Sequence, residues 1–138
     1  MLPKVLATIG LLIFGALIPV LEISPTHVFN EQWPPHARLH EVWQLATNTS
    51  LAVLCLWLVW IRGGVPLASA IGICVMGGVL FAHLVSDLYG GSLTYEGGVD
   101  LAISGLHITE IIPALAIGLF VLAAVLDRKS RIKSSAAG

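Results

Sequence analysis

Four apolar runs, at about 2–21, 42–61, 65–88 and 101–126, constrain this chain more than anything else in it. Each has roughly the 20 residues that a helix needs to cross a ~30 Å hydrocarbon core. In lipid every backbone N–H and C=O must be paired internally, which leaves helices or barrel strands. Barrel strands alternate polar and apolar residues, and these runs do not alternate. Only 11% of the residues are charged, against about 25% in soluble proteins. The chain is therefore expected to be all-α: one four-span membrane domain over 1–138, with helices at about 2–21, 34–61, 65–88 and 101–126. The first run is read as a retained helix, because I-P-V-L-E-I-S-P at its end offers no small-x-small cleavage site. Cys55 and Cys74 lie in apolar runs and form no framework.

Basic residues set the expected orientation. Lys4, Arg62, Arg128, Lys129, Arg131 and Lys133 all fall at one end of the four spans, and only Arg38 falls at the other. Both termini are thus expected to face the cytoplasm. All five histidines and every acid except Asp127 then lie in the opposite, outward half.

The polar stretch 26–48 stands out within this frame. Trp33-Pro34-Pro35 should open helix 2, since proline suits a first helical turn. His36, His40, Gln44 and Asn48 follow at four-residue spacing, a stripe about 18 Å long descending toward mid-membrane. Polar groups at that depth face protein or a wet cavity rather than lipid. Arg38 and Glu41 are expected to point elsewhere. Trp33, Trp43, Trp57 and Trp60 suit the two membrane interfaces.

Two further pairs occur on later spans. Helix 3 carries Gly72, Gly77 and Gly78, which allow close helix approach, and then His83 and Asp87 four residues apart. The glycine-rich connection 90–100 is read as a flexible lid or turn. Helix 4 is expected to begin near Asp100, which would put Glu110 roughly 14 Å into it. An acid so deep in a span is a site hypothesis by default. His107 stands three residues before it, and Pro113 should kink the helix just after it.

Pairs of this kind on neighbouring helices are how bundles build metal sites. In the metal version, His40, His83, His107, Asp87 and Glu110 are the ligands, holding zinc, iron, manganese or copper; the lack of sulfur donors argues against copper(I). In the metal-free version, Glu110, Asp87, His83 and His107 are acid–base groups. There Asp87 orients His83, and His36, Gln44, Asn48 and Trp43 bind substrate. The sequence contains no G-x-S-x-G, Walker loop, dinucleotide fingerprint or H-E-x-x-H. Arg38 alone makes no nucleic-acid surface.

The run N-E-Q-W-P-P-H-A-R-L-H resembles the signature of a family of small four-span membrane proteins, in which W-P-x-H-A-x-x-H leads into helix 2. The matching residues are Asn30, Trp33, Pro34, His36, Ala37 and His40. The layout is also similar to the sterol-isomerase/sigma-2-receptor superfamily, which implies a cavity holding acids and a histidine. No acid of this chain aligns with that superfamily position by position.

These readings favour an integral membrane enzyme acting on a small hydrophobic or lipid-like substrate in an outward-opening pocket. Isomerase, cyclase, hydrolase or metal-dependent oxygenase chemistry would each suit it. The alternatives are an accessory subunit of a larger membrane complex, with histidines ligating haem or chlorophyll, and a lipid-binding protein without turnover. Membrane lipids are the expected surroundings, with a homo-oligomer or larger complex as the expected assembly.

Overall fold

The computed structural model describes residues 1–93 and 102–136. Four long helices account for most of it: α1 (Leu2–Glu22), α2 (Pro35–Trp60), α3 (Val65–Leu84) and α4 (Ile108–Ala136). All four are long and apolar enough to cross a membrane. The protein is an all-α bundle of integral-membrane type. One short hairpin interrupts this plan, β1 (Ala102–Ile103) paired antiparallel with β2 (Leu106–His107).

α2 begins where the Pro-Pro pair predicts. Pro34 is extended, with ψ 141°, and Pro35 is the first helical residue. α2 and α3 are joined by a tight turn in which Gly63 has φ +63°, a value that favours glycine. Arg131 of α4 donates to the Gly63 carbonyl and also pairs with Asp127. This end of the bundle is called the turn end, and the other, where the longer connections lie, the loop end.

The core is concentrated toward the turn end. Ala7, Leu11 and Phe14 of α1 pack with Ala52, Cys55 and Val59 of α2, Val65, Ala68 and Met76 of α3, and Ala116, Phe120 and Ala123 of α4. By contrast, Leu45 is the one buried residue in the first half of α2. Phe120 explains how the helices close up. A Cβ added at Gly10 of α1 would lie 2.7 Å from the Phe120 ring, and one added at Gly72 of α3 would overlap it. Two glycines from different helices thus form the seat for one aromatic ring. Of the three α3 glycines, Gly72 serves close approach; Gly77 and Gly78 face open space.

α1 shows how a proline is accommodated by a neighbouring helix. Its residues Ile13–Leu17 form one π turn, directly before Pro19. Pro19 has no N–H to give the Gly15 carbonyl four residues earlier. Thr49 of α2 supplies the missing donor, its Oγ1 lying 3.1 Å from Gly15 O. The approach is close because Gly15 lacks a side chain; a Cβ there would collide with the Ala52 methyl.

Two expectations change at the start of α4. The helix begins at Ile108, not near Asp100, since residues 102–107 form the hairpin. Ser104 and Gly105 turn it, with φ +53° and +83°, the left-handed values of a tight two-residue hairpin turn. Glu110 therefore stands in the first turn of α4, not deep within it, and Pro113 in the second. The glycine-rich connection is described as far as Leu93; residues 94–100 of that expected lid lie outside the described residues.

Phe120→Ala empties the Gly10–Gly72 seat and should cost on the order of 3 kcal/mol. Reversible unfolding in mixed micelles would measure it, and an unchanged midpoint would contradict the packing described. Thr49→Val should cost about 0.6 kcal/mol, typical of an interhelical hydrogen bond in lipid. The loss should shrink when Pro19→Ala restores a backbone donor, and a double-mutant cycle reads that coupling directly.

Candidate functional site

Where the core ends, the loop-end halves of α2 and α3 flank a half-open cavity of about 620 Å³. That volume falls within the ~300–1,000 Å³ of small-molecule sites. Its α2 wall is Glu41, Gln44 and Asn48; its α3 wall includes Gly78, Val79 and His83; Tyr89 and Ser92 lie at its loop end. Helical geometry explains which residues of the expected stripe reach it. Each four-residue step overshoots a full turn by about 40°, so a stripe from 36 to 48 winds about 120° around the helix. Glu41, Gln44 and Asn48 share an arc of only about 60°. Gln44 and Asn48 accordingly line the cavity, and Glu41, expected to point elsewhere, lines it too. His36, His40 and Trp43 are not among its lining residues.

His83 is the imidazole on the α3 wall. Its Nε2 lies 3.2 Å from Glu110 Oε1 of α4, with side-chain exposures of 38% and 28%. The other carboxylate oxygen, Oε2, accepts the His107 backbone N–H at 2.8 Å. The His107 ring in turn accepts the Thr109 N–H at Nδ1, 3.2 Å away. Together these cap the helix much as a capping box does, except that the N-cap histidine ring accepts from the second helical N–H rather than the third. Helix start and site are thus one construction: the bond that caps α4 also fixes the carboxylate that holds His83.

Other expected groups lie apart from this pair. Asp87 was assigned to orient His83, but α3 ends at Leu84 and Ser86–Leu88 is a separate 3-10 turn. The helical register that would have stacked Asp87 on His83 is broken; Asp87 is exposed, and Glu110 takes the orienting position. His40 meets His36 across an Nε2–Nε2 distance of 3.0 Å, with its ring 5.7 Å from that of Trp43. Among the described residues no three His, Cys, Asp or Glu side chains gather as a metal ion would require. The five expected ligands divide accordingly: His40 stands beside His36, Asp87 is exposed, and His83 meets Glu110, which also accepts the His107 backbone N–H.

A second polar cluster went unrecognised in the sequence. His27 Nε2 lies 2.9 Å from Glu22 Oε2, and its Nδ1 lies 2.9 Å from Thr26 Oγ1. Asn30, one of the few buried polar residues, donates to Thr26 O and accepts the Gln32 N–H. The first loop is thereby folded back on the end of α1. The five-residue spacing of Glu22 and His27 follows neither helical nor strand periodicity, so no pattern signal flags it. Glu41 could have been found by testing seven-residue as well as four-residue spacing.

Comparison with protein-family models, with curated proteins and with solved structures found no match to this chain. The geometry alone carries the functional reading.

The His83–Glu110 pair predicts a tautomer. In 15N-histidine spectra of the protein in nanodiscs, neutral His83 should carry its proton on Nε2, pointed at Glu110. Glu110→Ala should give a mixture of tautomers at His83. A His83 signal identical in both proteins would mean that the pair does not form.

Proposed function

We propose that the chain is a membrane enzyme that moves a proton on a small amphiphilic or lipid-like molecule held in the α2–α3 cavity. The observation that carries this reading is His83: it lines the cavity and is held from behind by a carboxylate that is itself anchored. An imidazole with one nitrogen on a carboxylate is fixed in orientation and has the other free to exchange protons. In this reading Nδ1 of His83 is the general base or acid. Glu110 orients it. Glu41, on the opposite wall, is the second acid–base group, and Gln44 and Asn48 hold the polar part of the substrate.

Isomerase-, cyclase- and hydrolase-type steps all need such a pair of proton carriers. The substrate class follows from the lining, which mixes these polar groups with Val75, Val79, Ala82 and Leu93. The basic residues at the turn end, Arg62, Arg128, Lys129, Arg131 and Lys133, support a cytoplasmic turn end and a cavity on the other side of the membrane.

Membranes containing equal amounts of wild type, His83→Gln, Glu110→Gln or Glu41→Gln protein would be incubated with a total amphiphile extract and profiled by mass spectrometry. The wild type should convert at least one species, His83→Gln should slow that conversion by about 100-fold or more, and Glu41→Gln should slow it as well. Identical profiles for wild type and His83→Gln would refute catalysis at this site. Retention of one amphiphile without conversion would instead select a binding protein.

A further inference from the structure

His36 and His40 are left out of the cavity, and their arrangement has its own chemistry. The two rings stand one turn apart at the start of α2, both exposed, with centroids 4.5 Å apart and planes at 89°. Their Nε2 atoms face each other at 3.0 Å. Arg38, the nearest cation in sequence, is displaced by two residues from each, about 200° around the helix, so no positive side chain of this turn intrudes between them. Neither residue lines the cavity, and neither belongs to the His83–Glu110 pair.

The nitrogen separation is close to the bite of two ligands on one ion. Nitrogens bound at about 2.05 Å to one ion and 3.0 Å apart would subtend about 94° at it. That is the angle between neighbouring positions of a square-planar or octahedral ion. A tetrahedral ion would need the nitrogens about 3.35 Å apart. Imidazole donors with tetragonal geometry suit copper(II) and nickel(II), and copper(II) binds such donors most tightly of the first-row divalent ions. We infer that His36 and His40 form a two-histidine surface site for copper(II) or nickel(II), separate from the cavity, with water completing the coordination. This inference does not depend on the cavity being catalytic.

Trp43 supplies a built-in reporter, since its ring lies 5.7 Å from that of His40. The full chain, purified in nanodiscs through a tag without histidine, would be titrated with copper(II) sulfate and with nickel(II) sulfate. Tryptophan fluorescence and, for copper, electron paramagnetic resonance would be recorded. One equivalent of copper(II) should bind, quench part of the fluorescence and show coupling to two imidazole nitrogens. His36→Gln and His40→Gln should each weaken binding by about 100-fold while the helical circular dichroism stays unchanged. His83→Ala should bind as the wild type does. Absence of a one-equivalent transition, wild-type affinity in either glutamine variant, or loss of binding in His83→Ala would each overturn the assignment. A pair that only shares a hydrogen bond gives the first of these results.

Discussion

Helix packing in lipid gains little from hydrophobicity, because lipid tails are as apolar as leucine; close contact has to supply the attraction. In this protein that contact is centred on Phe120. Its ring needs the missing side chains of Gly10 and Gly72, and in taking both seats it binds α4 to α1 and α3 at one level. Gly15 against Ala52 does the same between α1 and α2. Gly10, Gly72 and Ala52 lie in the turn-end halves of their helices, and Gly15 lies just past the middle of α1. The loop-end halves of α2 and α3 are consequently free to stand around a cavity and to carry polar residues.

The same economy governs the hydrogen bonds. Pro19 strands a carbonyl, and Thr49 of the neighbouring helix accommodates it. The first turn of α4 leaves N–H groups without partners, and His107 and Glu110 accommodate those. In the second case the solution also aims a carboxylate at His83. Backbone satisfaction and site geometry therefore share one residue. Replacing Glu110 affects both, so its variants have to be read together with those of His83 and Glu41.

The four spans were legible in the sequence, because length and polarity are local properties that lipid enforces strictly. So was the start of α2, which two adjacent prolines announce. The start of α4 was hidden: Leu101, Ala102 and Ile103 continue the apolar run, and only the Ser104-Gly105 pair signals the turn. The His83–Glu110 contact joins residues 27 positions apart on different helices, and spacing within one helix cannot reveal it. Asp87 was the natural partner under helical spacing, but V-S-D-L contains no proline or glycine to show that the helix had ended. The α2 stripe erred in a different way. Four-residue spacing joins His36 and His40 to Gln44 and Asn48, although the helix turns the two histidines away from the cavity.

The central claim is that the α2–α3 cavity binds a small amphiphile, and Gly78 tests it most directly. Gly78 lines the cavity, and a Cβ added there meets nothing within 4 Å. Gly78→Leu should therefore fold normally while occupying the binding volume. Native mass spectrometry of protein released gently from membranes should show an amphiphile retained by the wild type and absent from Gly78→Leu of equal thermal stability. Equal retention by both proteins, or none by the wild type, would contradict the account.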